Sequence, residues 1–217
     1  MRRGRSLTIL FVCLLSAATA SAQDEAKEPI GRVSVDLRFA FARHKVEPVI
    51  ADALGLLPAN LPKRTMGLAG GGQFYFWHFG GVAIGGGANF IMAKGNKTLE
   101  TTATGSTEVT KSPEAVRHFS TLSPEISINF GHRRGWSYIS GGMFGRSKLY
   151  VERADAPVSG ISQRKTINYG AGAKWFAKEH LAFSVDVRWY TIRDANPPDV
   201  LQPATTVMVL TGGISIK

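Results

Sequence analysis

The sequence predicts an all-β protein, an eight-stranded antiparallel up-and-down transmembrane β-barrel that follows a cleaved signal peptide. The first observation behind this prediction is the glycine content, 24 of 217 residues. It disfavours a helical bundle, because each interior glycine destabilises a helix by about 1 kcal/mol. The second is that apolar and polar residues alternate in segments of about ten residues, which turns separate. With 44% apolar and 19% charged residues, the chain is also too hydrophobic to be disordered.

Residues 1–22 have the features of a secretory signal peptide. Arginines at positions 2, 3 and 5 precede an apolar run over residues 7–15, and the small residues Ala20-Ser21-Ala22 fit cleavage before Gln23. The apolar run is too short for a membrane anchor, because a spanning helix needs about 20 apolar residues. We therefore expect the mature chain to be exported and to begin at Gln23.

The mature chain is expected to consist of a short periplasmic tail, 23–31, and a barrel domain, 32–217. The only cysteine, Cys13, leaves with the signal peptide, so the mature chain has no disulfide and no cysteine nucleophile. Removal of three arginines lowers Lys plus Arg from 26 to 23 against 16 Asp plus Glu, which gives a net charge of +7. For an exported chain this charge favours an anionic membrane surface as partner and disfavours nucleic acid.

The first four strands are predicted at about 32–42, 64–77, 82–93 and 119–130. In each of them most of the large apolar side chains share one parity, and mainly small or polar residues occupy the other, which is the pattern of a strand with one apolar face. The apolar positions are Val33, Val35, Leu37, Phe39 and Phe41; Met66, Leu68, Phe74 and Phe76; Val82, Ile84, Ala88, Phe90 and Met92; and Leu122, Pro124, Ile126, Ile128 and Phe130.

The last four strands are predicted at about 136–150, 166–176, 181–193 and 206–216. The seventh has the clearest alternation, because its apolar residues are separated by Ala182, Ser184, Asp186 and Arg188. The apolar positions are Trp136, Tyr138 and Phe144; Ile167, Tyr169, Ala171, Ala173 and Trp175; Leu181, Phe183, Val185, Val187 and Trp189; and Met208, Leu210, Ile214 and Ile216. An even number of strands lets the sheet close without exposed edges.

The connections between these segments alternate between short and long. The short ones are 78–81, 131–135 and 177–180, and the long ones are 43–63, 94–117, 151–165 and 194–205. Short periplasmic turns and longer extracellular loops are typical of outer membrane barrels. Within the first long loop, residues 47–62 have apolar residues at helical spacing, which predicts a helical turn that caps the barrel, contacts lipid or packs its own leucines. The polar, Thr-rich loop 94–117 is expected to be mobile.

Aromatic residues are concentrated near the predicted ends of the strands. Trp77, Trp136, Tyr138 and Trp175 lie at the level of the short turns, and Trp189 lies at the opposite level. Because Trp and Tyr favour the membrane interface, this grouping by depth predicts two aromatic girdles. The alternative is that these residues form the core of a soluble barrel.

With this pattern in place, two stretches give the chain a resemblance to a known family. They are Ser127-Ile128-Asn129-Phe130-Gly131 with the following Gly135-Trp136-Ser137-Tyr138, and Phe183-Ser184-Val185-Asp186-Val187-Arg188-Trp189-Tyr190. The chain resembles the small outer membrane β-barrel family, the OmpA-like and OmpX-like eight-stranded proteins, over about 32–217. The resemblance implies a location in the cell outer membrane of a Gram-negative bacterium. It also implies contact with outer membrane lipid, lipopolysaccharide and the outer membrane assembly machinery.

Six ionisable residues have the parity of the barrel lumen, three acids and three bases: Asp36, Arg38, Glu125, Lys174, Asp186 and Arg188. Charges in a narrow interior of low dielectric constant must be paired, and an eight-stranded barrel has room for little besides side chains. A salt-bridged plug is therefore favoured over a selective channel. We expect Asp36 and Arg38 of the first strand to face Asp186 and Arg188 of the seventh.

Candidate catalytic residues are few. His118 and Ser120 face the same side of a strand, and a lipid A deacylase of the same architectural group uses such a pair. Glu125 has the opposite parity and does not complete a triad. The histidines show no metal-binding spacing, and the sequence predicts neither a metal nor a cofactor.

The function that these observations favour is that of a non-enzymatic outer membrane protein of structural, adhesive or surface-interaction type. Its extracellular loops would contact an unknown partner, because loops carry function on rigid scaffolds. Three alternatives stay open: an outer membrane lipid A-modifying hydrolase that uses His118 and Ser120, a narrow channel, and a secreted ligand-binding barrel. The luminal charges argue against the last, because they would spoil an apolar ligand cavity.

Overall fold

The computed structural model describes residues 28–102, 109–153, 155–156, 160–196 and 199–217. The expected signal peptide, 1–22, and positions 23–27 of the expected tail lie outside the described residues. The strands are β1 (Val33–Arg43), β2 (Arg64–Phe79), β3 (Val82–Thr102), β4 (Val109–His132), β5 (Gly135–Arg153), β6 (Arg164–Phe176), β7 (Leu181–Ile192) and β8 (Thr205–Ile216). A helix, α1 (Pro48–Ala53), and a 3₁₀ turn (Pro58–Asn60) lie between β1 and β2.

The eight strands form one closed barrel in which each strand pairs with its sequence neighbours. All pairings are antiparallel, and β1 closes the barrel against β8, where Leu37 is opposite Ile214. The predicted eight-stranded antiparallel up-and-down barrel is therefore confirmed. At one end, here called the short-turn end, β2–β3, β4–β5 and β6–β7 are joined by two to four residues. The opposite end is called the long-loop end.

No helix among the described residues is long and apolar enough to cross a membrane.

The barrel is apolar outside and polar inside. In β7, Phe183 and Val185 are exposed on the outer surface, whereas Asp186 is only 1% exposed and lies within the barrel. The same alternation runs along β1, where Phe39 is 75% exposed and Arg38 is buried. A soluble barrel buries its apolar face, so this inverted arrangement is stable only where hydrocarbon covers the exterior.

Among the described residues, β-bulges interrupt the alternation in β2 and β5, and the register of β3 and β4 shifts once more between Lys97 and Leu99. In β2 the register shifts between Tyr75 and Trp77, and Phe76 and Trp77 are both exposed. In β5 one extra residue lies between Gly142 and Gly145 relative to β6, and the adjacent Met143 and Phe144 both point outward. A bulge adds one residue to one strand, so the parity of the outward face changes across it.

The predicted boundaries of the second long loop are wrong. Instead of a mobile loop over 94–117, β3 continues to Thr102 and β4 begins at Val109, and the two pair from Lys94 opposite His118 up to Thr102 opposite Val109. Threonine and valine favour extended backbone because their branched side chains fit a pleated sheet. The polar segment therefore extends the hairpin beyond the apolar band.

The first long loop forms a cap over the long-loop end. Pro48 starts α1, where its missing N–H costs no hydrogen bond, and α1 buries Ile50 and Ala51 against Leu61 and Val151. The predicted helical turn is present, and of the three arrangements considered for it the structure has a cap packed on β5 and on its own leucines.

The tail residues next to the barrel cover the short-turn end. Ile30 is buried in a cluster with Tyr75 and Trp136, and the backbone N–H of Arg133 donates to Glu28 O at 3.0 Å. The described part of the tail is therefore packed against the barrel.

Candidate functional site

Asp36 and Lys174 form one half of a buried ion-pair network. Lys174 Nζ lies 2.8 Å from Asp36 Oδ1, and it also donates a 2.8 Å hydrogen bond to Ser34 Oγ. Ser215 Oγ donates to Asp36 as well. The network thus joins β1, β6 and β8 across the lumen, and it satisfies a carboxylate that would otherwise be buried without a partner.

Arg188 is the centre of the other half. Its Nε donates to Asp186 Oδ1 at 2.9 Å, and its guanidinium forms an ion pair with Glu125. The remaining guanidinium donors reach Ser140 Oγ at 2.7 Å and Asn168 Oδ1 at 3.1 Å. Arginine suits this position, because its planar group offers five donors to several acceptors at once.

Arg38 and Tyr138 connect the two halves. Arg38 lies 3.9 Å from both Asp36 and Asp186, and it donates to Asn89 Oδ1 at 2.7 Å. The Tyr138 hydroxyl donates to Asp186 Oδ2 at 2.8 Å. The sequence predicts that Asp36 and Arg38 face Asp186 and Arg188. In the structure Arg38 does face Asp186, whereas Asp36 pairs with Lys174.

The network fills the barrel. All six predicted luminal charges are at most 5% exposed, and their three positive and three negative charges balance. Two pockets between these side chains, lined by Arg38, Asn89 and Arg188 among others, are too small for a water molecule. The side chains of the network therefore block an aqueous path through the middle of the described barrel.

Two of the predicted interface aromatics lie inside the barrel instead. Trp136 is 3% exposed and Tyr138 is 5% exposed, so the expectation that they face the membrane interface is wrong. The β5 bulge is the physical reason: Phe144 lies within it and faces outward, whereas residues of the same parity before it, Trp136 and Tyr138, face inward. Trp136 packs edge-on against Tyr75 at 5.8 Å and stacks with Phe176 at 5.1 Å, which closes the lumen at the short-turn end.

The other three predicted interface aromatics face outward. Trp77 and Trp175 are exposed near the short turns. Trp189 is half-buried on the outer face of β7, where it stacks with Tyr169 at a centroid distance of 5.7 Å. Their depths match the two levels at which interface aromatics are expected.

His118 and Ser120 lie on the outer face of β4 towards the long-loop end. His118 Nε2 is 2.9 Å from Glu152 Oε1 on β5, and its ring stacks on Tyr150 with centroids 4.7 Å apart. Ser120 is opposite Lys148 in the register of β4 and β5. Glu152 is not among the residues predicted from the sequence, because the fifth strand is predicted to end at position 150. In the longer observed strand, the parity of Glu152 places it on the same face as His118.

The closed antiparallel sheet, the apolar exterior and the polar interior with its ion-pair network define a small transmembrane β-barrel of the type found in bacterial outer membranes. Among solved structures it is similar to neisserial surface protein A, at 9% identity and a TM-score of 0.51 over 85% of this chain and 96% of that one. It is likewise similar to the outer membrane protein OprG from Pseudomonas aeruginosa, at 13% identity and a TM-score of 0.50 over 89% and 98%.

Ail, the attachment invasion locus protein of Yersinia pestis, aligns at 16% identity and a TM-score of 0.49 over 86% of this chain and 98% of that one. No protein-family model and no curated protein matches the sequence. The first two structures give the chain the fold of the small eight-stranded outer membrane β-barrels, as the sequence predicts.

Proposed function

We propose that this protein is a non-enzymatic surface protein of the outer membrane, in which the barrel is a rigid support and the long-loop end contacts partners outside the cell. The middle of the lumen, filled by the six-residue ion-pair network, is the observation that carries this proposal, because it removes the space that a channel or a ligand carrier needs. Short turns of outer membrane barrels face the periplasm, so the long-loop end is taken as extracellular.

A narrow channel and a secreted ligand-binding barrel fit the structure less well. A channel through this lumen would have to break the ion pairs of Arg188 and Lys174, each of which is held by buried partners. A ligand-binding barrel would need an apolar interior, whereas here Phe183 faces outward and Asp186 faces inward. Both observations favour a structural barrel.

The cap at the long-loop end supplies a surface for a partner. Ile50 and Leu61 anchor it to the barrel, while Val49 and Leu57 remain exposed, as does Val200 of the loop between β7 and β8, whose neighbour Leu201 packs against the cap. Apolar side chains held in fixed positions on a rigid base are typical of protein interaction surfaces. We therefore assign the interaction to this cap.

Three measurements test the proposal. The folded protein should be recovered from the outer membrane fraction and migrate differently on a denaturing gel with and without heating. In planar bilayers it should give no steady conductance. Bacteria that display it should attach to a cultured epithelial cell layer, and V49S/L57S should reduce attachment without changing surface expression. Steady ion conductance, or unchanged attachment of the double variant, contradicts the proposal.

A second candidate function is a lipid hydrolase, and the contact between His118 and Glu152 favours it. In that reaction Glu152 orients the imidazole, and His118 takes the hydroxyl proton of Ser120 as the oxygen attacks an ester carbonyl. The alcohol leaves with that proton from His118, and water then hydrolyses the acyl-serine to release the fatty acid. In the structure the imidazole nitrogen that bonds Glu152 is Nε2, so Nδ1 is the atom that must reach Ser120.

Mass analysis of lipid A separates the two candidates. A hydrolase releases one fatty acid per lipid A in cells with the wild-type chain, and H118A and S120A abolish that release. H132A, which changes a histidine at the end of β4 near a short turn, serves as the control. Identical lipid A from cells with and without the protein excludes the hydrolase and leaves the surface role.

A further inference from the structure

Two arginines are buried beneath the cap at the long-loop end, Arg117 of β4 and Arg164 of β6. Arg117 is 2% exposed and Arg164 is 3% exposed. Both lie towards the long-loop end of their strands, apart from the six charges of the ion-pair network. A buried charge without a partner of opposite sign destabilises a fold strongly, so these two positions require an explanation.

The hydrogen bonds that the structure gives these arginines are to backbone carbonyl oxygens. Arg117 Nη1 donates to Lys45 O at 3.3 Å, at the start of the cap. Arg164 Nη1 donates to Gln202 O at 2.9 Å, and its Nη2 donates to Leu149 O at 2.9 Å. These bonds tie the cap and the loop between β7 and β8 to the barrel wall, but a carbonyl oxygen does not neutralise a charge.

One whole edge of the Arg117 guanidinium has no partner among the described residues. Its Nε and Nη2 are both buried and make no hydrogen bond, and the same holds for Nε of Arg164. Nε and Nη2 of an arginine lie on the same side of the planar group, so their N–H bonds are parallel and together bind one anionic group. A buried donor without an acceptor is costly, most of all on a charged group.

Arg117 and Arg164 line one small cavity between the cap and the barrel wall, together with Glu47. The space in it that is open to the centre of a water-sized sphere is about 10 Å³, which is about what one water molecule needs. A phosphate, a sulfate or a free carboxylate group is too large for that space. A monatomic ion fits it.

The charged side chains that line the cavity are two cations and one carboxylate. The charge of Glu47 acts on both arginines. Asp194 and Asp199 also act on Arg164, but they are not part of the lining, and their oxygens accept hydrogen bonds from backbone N–H groups of their own loop. The lining therefore has an excess of one positive charge, which one monovalent anion balances.

An anion suits this cavity better than a water molecule does. Water would accept hydrogen bonds from the arginines but would also need acceptors for its own two hydrogens, and part of the remaining lining is apolar: Ile50, Leu149 and Leu201. A halide ion accepts hydrogen bonds and donates none. It also supplies the negative charge that two buried guanidinium groups and a single carboxylate leave uncompensated.

We propose that the cavity beneath the cap binds one halide ion, which is chloride in the medium around the cell, and that the unbonded donors of Arg117 and Arg164 hold it. Arg117 belongs to the barrel wall and also bonds Lys45 of the cap. An ion that fixes its guanidinium therefore keeps the cap closed on the barrel. The inference adds an anion site to the cap and does not depend on what the cap contacts outside the cell.

The test uses the full mature chain refolded in a neutral detergent, in sodium chloride and in sodium gluconate of equal pH and ionic strength. Gluconate is an organic anion too large for the cavity. Amide hydrogen exchange of residues 44–63 measures closure of the cap, and the amides of β7 are the internal reference. The variants are R117M, R164M and the control R146M, which removes an exposed arginine of β5 and so has the same net charge. Heat-modifiable migration establishes that each protein is folded.

We expect chloride to slow exchange of the cap amides about tenfold relative to gluconate in the wild type and in R146M, which is the effect of a ligand at about ten times its Kd. R117M and R164M should exchange equally fast in both salts. Because the ratio between the salts is the readout, the lost bond to Lys45 in R117M does not by itself change it. Equal exchange of the wild type in both salts, or a chloride effect that R117M or R164M retains, overturns the inference.

A second measurement needs no variant and therefore holds even where R117M does not fold. In crystals of the wild type grown with bromide in place of chloride, anomalous scattering locates the ion. A bromide peak within hydrogen-bond distance of Arg117 Nε and Nη2 supports the site. A water molecule there, or the Glu47 carboxylate turned onto that edge, overturns it. Both measurements are made without an external partner, so their failure leaves the proposed surface role unaffected.

Discussion

Lys174 of β6 and Asp36 of β1 form an ion pair inside the barrel, with Nζ 2.8 Å from Oδ1, although 138 residues separate them in sequence. Both side chains are buried. A buried charge that loses its partner destabilises a protein by about 3–5 kcal/mol, whereas replacing both charges by apolar residues of similar size is often nearly neutral. The pair therefore allows the stability of the lumen to be measured by exchange of one or both partners.

The first prediction is that K174M lowers the free energy of unfolding by up to about 3–5 kcal/mol, because it removes the cation closest to the buried Asp36 carboxylate and leaves only Arg38, which is 3.9 Å away and shared with Asp186. The double variant D36L/K174M should recover most of the loss. Urea unfolding in lipid vesicles, followed by the loss of the heat-modifiable gel form, measures both. K178M, which changes an exposed lysine in the β6–β7 turn, is the control. A double variant as unstable as K174M would contradict this account of the pair.

The second prediction concerns the partner of Arg188. Because its guanidinium forms an ion pair with Glu125 and Asp186 rather than with Asp36, R188E should impair folding strongly through three adjacent buried carboxylates. Adding E125R should restore part of the stability by exchanging the two charges, and adding D36R should not. Refolding yield into vesicles, scored by the heat-modifiable form, distinguishes the two rescues. Rescue by D36R alone would mean that the two halves of the network are connected differently.

The third prediction tests the β5 bulge. A Cβ atom on Gly142 would overlap the backbone carbonyl of Pro124 on β4, so the close approach of β4 and β5 at the bulge requires glycine. G142A should destabilise the barrel by about 1–3 kcal/mol, the usual cost of forcing atoms into a packed site. Gly212 is the matched control, because a Cβ there meets its nearest atom, Ser184 O, at 3.9 Å. Equal stability of G142A and G212A in urea would show that the bulge tolerates a side chain.

The strands of the barrel could be predicted from the sequence wherever the apolar residues keep to every second position along the whole segment, as they do between Leu181 and Trp189. In β5 a single extra residue inverts the parity, so uninterrupted alternation predicts the wrong face for Trp136 and Tyr138. The adjacent apolar residues Met143-Phe144 between glycines were the available signal, since glycine within a strand often marks a bulge. Contacts between strands, such as Glu152 with His118, depend on register, which a single sequence does not specify where both faces are partly polar.

The fourth prediction uses His44, which follows β1 at the long-loop end. Burial, together with the nearby positive charge of Arg117, lowers the pKa of His44 to about 3, and His44 Nε2 lies 2.9 Å from Thr65 Oγ1. When the cap around His44 opens and the imidazole is exposed to water, its pKa is that of a free histidine, about 6.5. The folded pKa is the lower of the two, so the open state binds more protons, and stability falls as the pH drops from about 6.5 towards 3.

At pH 4.5 this difference weakens the closed arrangement around His44 by about 2–3 kcal/mol relative to pH 7.5. Amide hydrogen exchange of residues 44–63 should therefore be faster at pH 4.5 than the intrinsic effect of pH on exchange accounts for. In H44Q, which keeps a side-chain group able to bond Thr65 but does not titrate, this extra acceleration should disappear, and the amides of β7 provide an internal reference in the same sample. An acceleration of equal size in H44Q would assign the effect to another group on the cap and not to the buried imidazole.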